Sequence, residues 1–487
     1  MLPSPRTRIP SPTFLSDGSH LLSPRPVAFN EPPVYQTGLH SQPQLHTPHT
    51  ATLAEADYDV DIDSGFLPPQ APLCRLEGAP WNIWEDAWDL TSGFRPGIGE
   101  RGDDRIRCWR QYIRDGMPVI SVKPLQEHGV IELRRAHAVL TFLAHTYVHS
   151  QARSIALQPD YQPMVPRALA IPLCEVSQIL NIPPILTYAD TVLYNWKLKN
   201  PKLGFTLDNV EIPSTFTRTA SEAHFFKTSL LIEAIGPICL GLMRSSLDEA
   251  FMGDELSIRR ISDHLSGLVV AIQRMTSVLT DVRTACDPIT FYWEIRPWLN
   301  GGRWVMEGVP AEPGPWQVND FGGPSAGQST LIHSIDVFLG VDHAPRSGEV
   351  SNEDQFMNRM SIYMPHHHRL FLRTLATNSQ QIRSLVLSAG PKSVIAERYN
   401  NAISALKDLR NAHGRIALLY IVSQSRVEPP AGSAFLREWE EKMVAEWNKQ
   451  QLALTQPHSN GVHTGTGGTD LAKFLKRCRE RTTEALI

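Results

Sequence analysis

Around the stretch Lys407–Val422, the residues Leu406, Leu409, His413, Ile416 and Tyr420 recur at helical spacing. This puts an imidazole on an otherwise apolar face. A buried imidazole needs partners for its ring nitrogens. Two roles are open to His413: a core histidine bonded to a neighbour, or the ligand of a metal or haem iron. Gly414 follows directly and would let a flat cofactor or another backbone come close.

Other residues could complete a site. In "DPITFYWEIRPWLNGG", Pro297 disfavours helical geometry at Arg296, so a helix ends there. The guanidinium, beside Phe291 and Tyr292, then faces either a cleft or solvent. Phe225 and Ser229 lie one helical turn apart, ring and hydroxyl on one face. "GGPSAGQSTLIHSIDVFLG" (Gly322–Gly340) is a small-residue turn leading into a helix. Small residues admit a flat ligand and helix-start amides favour anions, but no G-K-[ST] marks a phosphate loop. "TGTGGTDL" (Thr464–Leu471), a hydroxyl-rich glycine loop before the last helix, reads as a lid or a plain linker. His145 and His149 have a metal-binding spacing, yet Thr146 stands where H-E-x-x-H has its glutamate, so the pair reads as structural. His366, His367 and His368 are consecutive and point apart on a helix, which argues against a three-histidine metal site.

The elements that must hold these residues are helical. No long apolar/polar alternation and no internal repeat occurs. "WNIWEDAWDL" carries aromatics at helical spacing, and Glu132–Ser150 predicts a longer amphipathic helix. Val165–Trp196 reads as helix, loop, helix, broken at Pro183 and Pro184. Residues 197–219 are polar and turn-rich, a domain joint. Beyond them, "SEAHFFKTSLLIEAIGPICLGLM" opens a larger helical region. After "SRVEPPAGS", Leu436, Trp439, Met443 and Trp447 mark one more amphipathic helix. The expected fold is all-α: a small N-terminal helical domain, 57–215, packed on a larger C-terminal one, 216–487, with 425–463 an extended loop and helix insert. Residues 1–56 hold ten of the 38 prolines and show no apolar period, which predicts a disordered tail.

A chain of 487 residues with net charge −4 accommodates two domains, and no basic excess points to nucleic acid. Six scattered cysteines, none in C-x-x-C or C-x-x-C-H, indicate neither a zinc ribbon nor covalent c-type haem attachment. They fit a reducing, cytoplasmic compartment. The most apolar run, Ser229–Met243, is too short for a membrane span and contains Glu233. The N-terminus lacks a secretory apolar core, and its proline content does not suit an import helix.

Taken in order, "RALAIPLCEVS", "IPPILTYADTVLYNW", "HFFKTSLLIE", "FYWEIRPWL", "SAGQST", "YMPHHHRLFL", "LRNAHGRI" and "GTGGTDL" resemble the indoleamine 2,3-dioxygenase family, from about Asp57 to the C-terminus. The long proline-rich tail and overall length resemble fungal members more than animal ones. The resemblance implies an all-helical protein whose larger domain binds one non-covalent haem b. It implies insertion of both atoms of O2 across the indole C2–C3 bond of L-tryptophan, giving N-formylkynurenine. That is the first step of tryptophan catabolism by the kynurenine route towards NAD. The implied partners are L-tryptophan or a related indoleamine and O2, with no nucleic acid and no membrane, the chain being a monomer.

Residue by residue, His413 aligns with the proximal haem-iron ligand. Arg296 aligns with the arginine that holds the substrate carboxylate, a task suited to a guanidinium fork. Phe225 and Phe291 align with rings flanking the indole, and Tyr188, Thr191 and Val192 with pocket residues of the smaller domain. Ser229 aligns with the one hydroxyl near bound O2, Ser325 and Ala326 with the turn against the haem edge, and Thr466 with the loop that closes over substrate. Asp336 and Arg410 align with an ion pair near the haem propionates. Pro324 stands where the family commonly has glycine, and Thr191 replaces a frequent cysteine, departures that bear on affinity rather than reaction type. The segment 425–463 is longer than in animal members. A tetrameric-type tryptophan dioxygenase would place a histidine where Ser229 stands. Outside catalysis, the alternative is a haem-binding paralogue that senses a ligand or gas with little turnover.

Overall fold

The computed structural model describes residues 55–93, 104–151, 156, 161–310, 320–343, 356–431 and 471–487, with 433, 435, 436, 439–441 and 443 between the last two. Residues 1–54 of the tail, Thr466 and most of the 425–463 segment lie outside these residues, while Glu55 and Ala56, expected in the disordered tail, open the 3₁₀ turn Glu55–Tyr58. The described residues are predominantly helical, as expected. Their strands are three two-residue pairs: Met164–Val165 parallel to Val305–Met306, Lys197–Leu198 antiparallel to Val210–Glu211, and Gly302–Arg303 antiparallel to Asp320–Phe321.

The N-terminal lobe is built on helices Asn82–Leu90, Val130–His149 and Arg167–Leu180. The tryptophan stripe of the first buries Trp84 and Trp88. The second differs from its amphipathic expectation, being buried on every side from Arg135 to Val148. It runs between the other two helices and the turn Arg296–Leu299 of the C-terminal lobe, so its polar residues must find partners inside. They do: His137 meets Asp190 and Pro183, His145 meets Trp298 and Leu186, and Thr141 and Thr146 bond back to their own helix.

The second helix expected within Val165–Trp196 is absent. Helix Arg167–Leu180 ends at Asn181, which is left-handed with φ 54°. In place of the expected helix stands a single π turn, Ala189–Leu193. Its geometry is set by Asp190, whose Oδ2 accepts from the Thr187 amide at 2.8 Å and hydroxyl at 2.7 Å while Oδ1 faces His137 Nδ1 at 2.8 Å. A buried carboxylate satisfied by these long-range and local donors overrides helix continuation.

The C-terminal lobe begins at the capped helix Ala220–Glu233. Thr219 accepts from the Glu222 amide at 3.2 Å, and Glu222 accepts from the Phe216 and Thr217 amides, tying the joint to the helix start. Helix Gly236–Met252 comes next, closed by left-handed Gly253. By length and composition the whole stretch Ala220–Met252 could cross a membrane, a longer run than sequence suggested. Here it packs on helix Glu255–Thr280 and carries buried Glu233. Helices Thr330–Phe338, His366–Ala389, Val394–Ala417 and Leu471–Glu484 also belong to this lobe. One apolar cluster joins Trp84, Phe142 and Leu173 to Phe226, Phe291, Trp298 and Tyr420, so the interior is continuous across residue 215. A second lies within the C-terminal helices and takes in Val60 and Phe66 from the start of the described chain.

Candidate functional site

His413 lies near the end of helix Val394–Ala417. Protein encloses it, and that burial, with the charge of Arg410 behind it, lowers its pKa. It nevertheless keeps accessible surface, and its ring nitrogens have no hydrogen-bond partner among the described residues. A Cβ added to Gly414 would meet nothing within 4 Å. The core-histidine reading requires a bonded neighbour, and the described residues supply none. An enclosed, neutral, unpartnered imidazole next to open space is what an apolar plate carrying a metal needs.

One turn before it, Arg410 Nη2 donates to both oxygens of Asp336 at 2.6 Å, and Arg410 Nη1 donates to Thr482. Asp336 also pairs with His343 at 2.9 Å. Burial alone would raise its pKa, but the guanidinium and imidazole hold the carboxyl well below the usual carboxylate range. The pair fastens helix Thr330–Phe338 to the His413 helix. On that helix His333, lowered to about 4 by burial, is neutral and donates from Nε2 to the Gly327 carbonyl at 2.9 Å. It thereby fixes the turn Ala326–Gln328, whose neighbour Ser325 is half-buried and whose Ala326 is exposed.

The aromatic candidates meet one another. Phe225 and Phe291 have ring centroids 4.8 Å apart, and Phe291 stands edge-on to Tyr420 at 5.5 Å. Phe291 opens a π turn, Phe291–Ile295, and Tyr420 lies in another, Leu418–Ser423, that continues the His413 helix. Such turns widen a helix locally and frequently occur at functional sites. Arg296 begins the following 3₁₀ turn, Arg296–Leu299, with its backbone still helical at φ −52° and ψ −39°, so Pro297 changes the turn type there and does not end the helical run as expected. Its guanidinium carbon lies 5.5 Å from the Tyr292 ring centroid, and burial lowers its pKa. The segment beyond is locked by backbone contact: a Cβ on Gly323 would lie 1.8 Å from the Leu299 carbonyl, so only glycine fits beneath the Ser325 turn.

Ser229 shares the half-buried face of its helix with Phe225. His224, the residue before Phe225, faces the other way, onto the Asp281 carbonyl at 3.1 Å. Tyr188, Thr191 and Val192 are buried in the small-lobe wall. The Thr191 hydroxyl turns back to the Thr187 and Tyr188 carbonyls.

Two residues that sequence reasoning passed over hold this wall to the rest. Gln328 Oε1 accepts from the Tyr188 amide at 2.8 Å, while its Nε2 donates to the Gly323 carbonyl at 2.9 Å. Glu233 accepts from the Tyr188 hydroxyl at 3.0 Å and the Ser329 hydroxyl at 2.6 Å. Glu233 stands one turn beyond Ser229 on the face that carries Phe225, a spacing that could have flagged it. A polar cavity of about 170 Å³ lined by Cys74, Arg75, Glu85, Arg135 and Arg218 shares no residue with this constellation. No group of three or more histidine, cysteine or acidic side chains able to hold a bare metal ion occurs among the described residues.

Residues 54–485 match the family model described as indoleamine 2,3-dioxygenase. The chain is 31% identical to an indoleamine 2,3-dioxygenase of Saccharomyces cerevisiae over 87% of its own length and 92% of the relative's. It is 29% identical to indoleamine 2,3-dioxygenase 1 of Rattus norvegicus, covering 88% and 95%. It is equally similar, at 29% over 88% and 97%, to a 6-hydroxytryptophan 2,3-dioxygenase of Fusarium equiseti. The chain belongs to the indoleamine 2,3-dioxygenase family, a class of haem-dependent dioxygenases.

Proposed function

We propose that this protein inserts both atoms of O2 into the indole C2–C3 bond of L-tryptophan, giving N-formylkynurenine, the first step of tryptophan catabolism by the kynurenine route. The observation that carries the reading is His413: enclosed, unpartnered among the described residues and beside the open flank of Gly414. The residues present fit a haem b. His413 would be its proximal iron ligand, Ser325 and Ala326 would meet its edge, and Arg410 with Asp336 would lie near its propionates. When bound, the haem supplies the site at which O2 is activated.

The chain's own residues bind and orient the substrate. Arg296 would pair with the amino-acid carboxylate, a charge that its buried setting makes worth more than in water. Phe225 and Phe291 would hold the indole, with Tyr188, Thr191 and Val192 closing the small-lobe side. Thr466 would belong to the loop that covers the substrate and excludes water. None of Phe225, Ser229, Phe291, Tyr188 or Val192 titrates near neutral pH as a base, and His224 faces the opposite side. These residues therefore position the reaction, and none of them is a side-chain base for the indole nitrogen.

We also propose a fungal-type member, a cytoplasmic monomer with a boundary near 215/216 between the small and haem-binding domains. Six free, scattered cysteines support the reducing compartment. The test is purified, haem-loaded, reduced protein with O2 and L-tryptophan, followed for N-formylkynurenine, with 6-hydroxytryptophan in parallel. Product from neither indole, with a haem spectrum that still responds to ligands, would favour the sensing paralogue.

A further inference from the structure

Glu233 is buried, with 1% of its surface accessible, at the C-terminal end of helix Ala220–Glu233. Its Oε1 receives two hydroxyls from different directions: Tyr188 from the small-lobe wall and Ser329 from the N-cap of helix Thr330–Phe338. Its Oε2 is buried with no hydrogen-bond partner. One carboxyl thus bolts the Tyr188 wall to the turn that carries Ser325 and Ala326. The same helix face presents Phe225 and Ser229.

The two protonation states of this carboxyl differ in consequence. As a neutral acid, Oε1 accepts both hydroxyls and no charge is buried. As an anion, it places a charge on an oxygen with no donor, in apolar surroundings. Burial raises its pKa from 4.5 to about 7, opposed only in part by the two hydroxyl bonds. The titratable groups facing it are Tyr188, raised well above its ordinary value first by burial, and Cys239 of helix Gly236–Met252, pushed up to about 12 by burial and by Glu233. Both stay protonated at neutral pH. On its own helix Glu222 is engaged with the joint and Lys227 with the Leu207 carbonyl. No cation among the described residues compensates an ionised Glu233; the two hydroxyl bonds favour the anion, but the charge on Oε2 is relieved only by water entering the seam between the wall and the turn, which works against those bonds.

We propose that Glu233 is a positioning residue for substrate binding: its neutral carboxyl holds the Tyr188 wall closed, and its ionisation loosens that wall and weakens the site. The substrate part rests on the function proposed above; the loosening does not. The test compares haem-loaded wild type with Glu233→Gln between pH 6 and pH 8, in two arms. Hydrogen exchange of the segment 187–193, corrected for intrinsic rate, reads the wall without any ligand. L-tryptophan affinity, by difference spectroscopy, reads the site.

Wild type should lose protection in 187–193 and about tenfold in affinity over that range, as expected for release of one proton near pH 7. Glu233→Gln, which keeps an acceptor and cannot ionise, should be flat in both arms. Tyr188→Phe and Ser329→Ala, each lacking one hydroxyl, should be under-protected already at pH 6, which keeps the test valid if the Gln variant fails to fold. Exchange in 187–193 that does not change with pH in wild type, or the same pH dependence in Glu233→Gln, overturns the proposal. So does tryptophan binding that is independent of pH. Absence of tryptophan binding with pH-dependent protection would refute the proposed substrate and leave the loosening standing.

Discussion

Replacing Arg410 by Met isolates the bolt between the His413 helix and helix Thr330–Phe338. The pair is bidentate at 2.6 Å, and side-chain exposure is 12% for Arg410 and 2% for Asp336. Removing one partner leaves a buried charge uncompensated, which costs about 3–5 kcal/mol. His343 stays at 2.9 Å from Asp336 and places the expectation at the lower end, about 3 kcal/mol. Asp336→Asn should cost a similar amount for the converse reason. The double variant should lose at least about 2 kcal/mol less than the sum, because neither charge is then stranded. Urea unfolding followed by both fluorescence and circular dichroism gives the free energies where the curves coincide. The pH dependence has a definite sign. Asp336 is held below its ordinary 3.8, so its contribution is present above that pH and is lost as the pH falls further. Arg410→Met should flatten that acid limb. Additive single costs, or a loss under about 1 kcal/mol for Arg410→Met, would refute the idea that this pair holds the two helices together.

Arg296→Ala should lower kcat/KM for L-tryptophan by roughly 30-fold to several thousand-fold, the equivalent of about 2–5 kcal/mol, and affect the decarboxylated amine much less. Equal losses for both substrates would remove the carboxylate role. Ser229→Ala should cost at most about tenfold in kcat, one hydrogen bond's worth, and His224→Ala should still turn over. A thousand-fold drop from either, with haem retained, would reveal a protein base. His413→Ala should fail to retain haem after gel filtration, and full retention would move the ligand elsewhere.

Local signals were legible in the residues themselves. The stripe from Leu406 to Tyr420 marked the His413 helix, whereas Pro297 changes the turn type at Arg296 without ending the helical run. What periodicity could not show was contact across distance. Glu132–Ser150 reads as amphipathic, but its polar side is covered by elements far along the chain, His145 reaching the Trp298 carbonyl at 2.8 Å. The part of Val165–Trp196 after Pro184 reads as a second helix, but a buried Asp190 bound to His137 leaves a π turn there. Glu233 looked like a polar interruption of an apolar run. Its meaning lies in Tyr188 and Ser329, which only the fold brings to it.

The central claim is dioxygenation of an indole, and isotopically labelled O2 in unlabelled water tests it most directly. Reduced, haem-loaded protein turning over L-tryptophan should yield N-formylkynurenine in which the carbonyl formed at C3 and the formyl group formed at C2 each carry one labelled oxygen, read by mass spectrometry under conditions that limit formyl exchange. His413→Ala should give no product in the same reaction. A product with only one labelled atom, or no product despite full haem loading, would contradict the account.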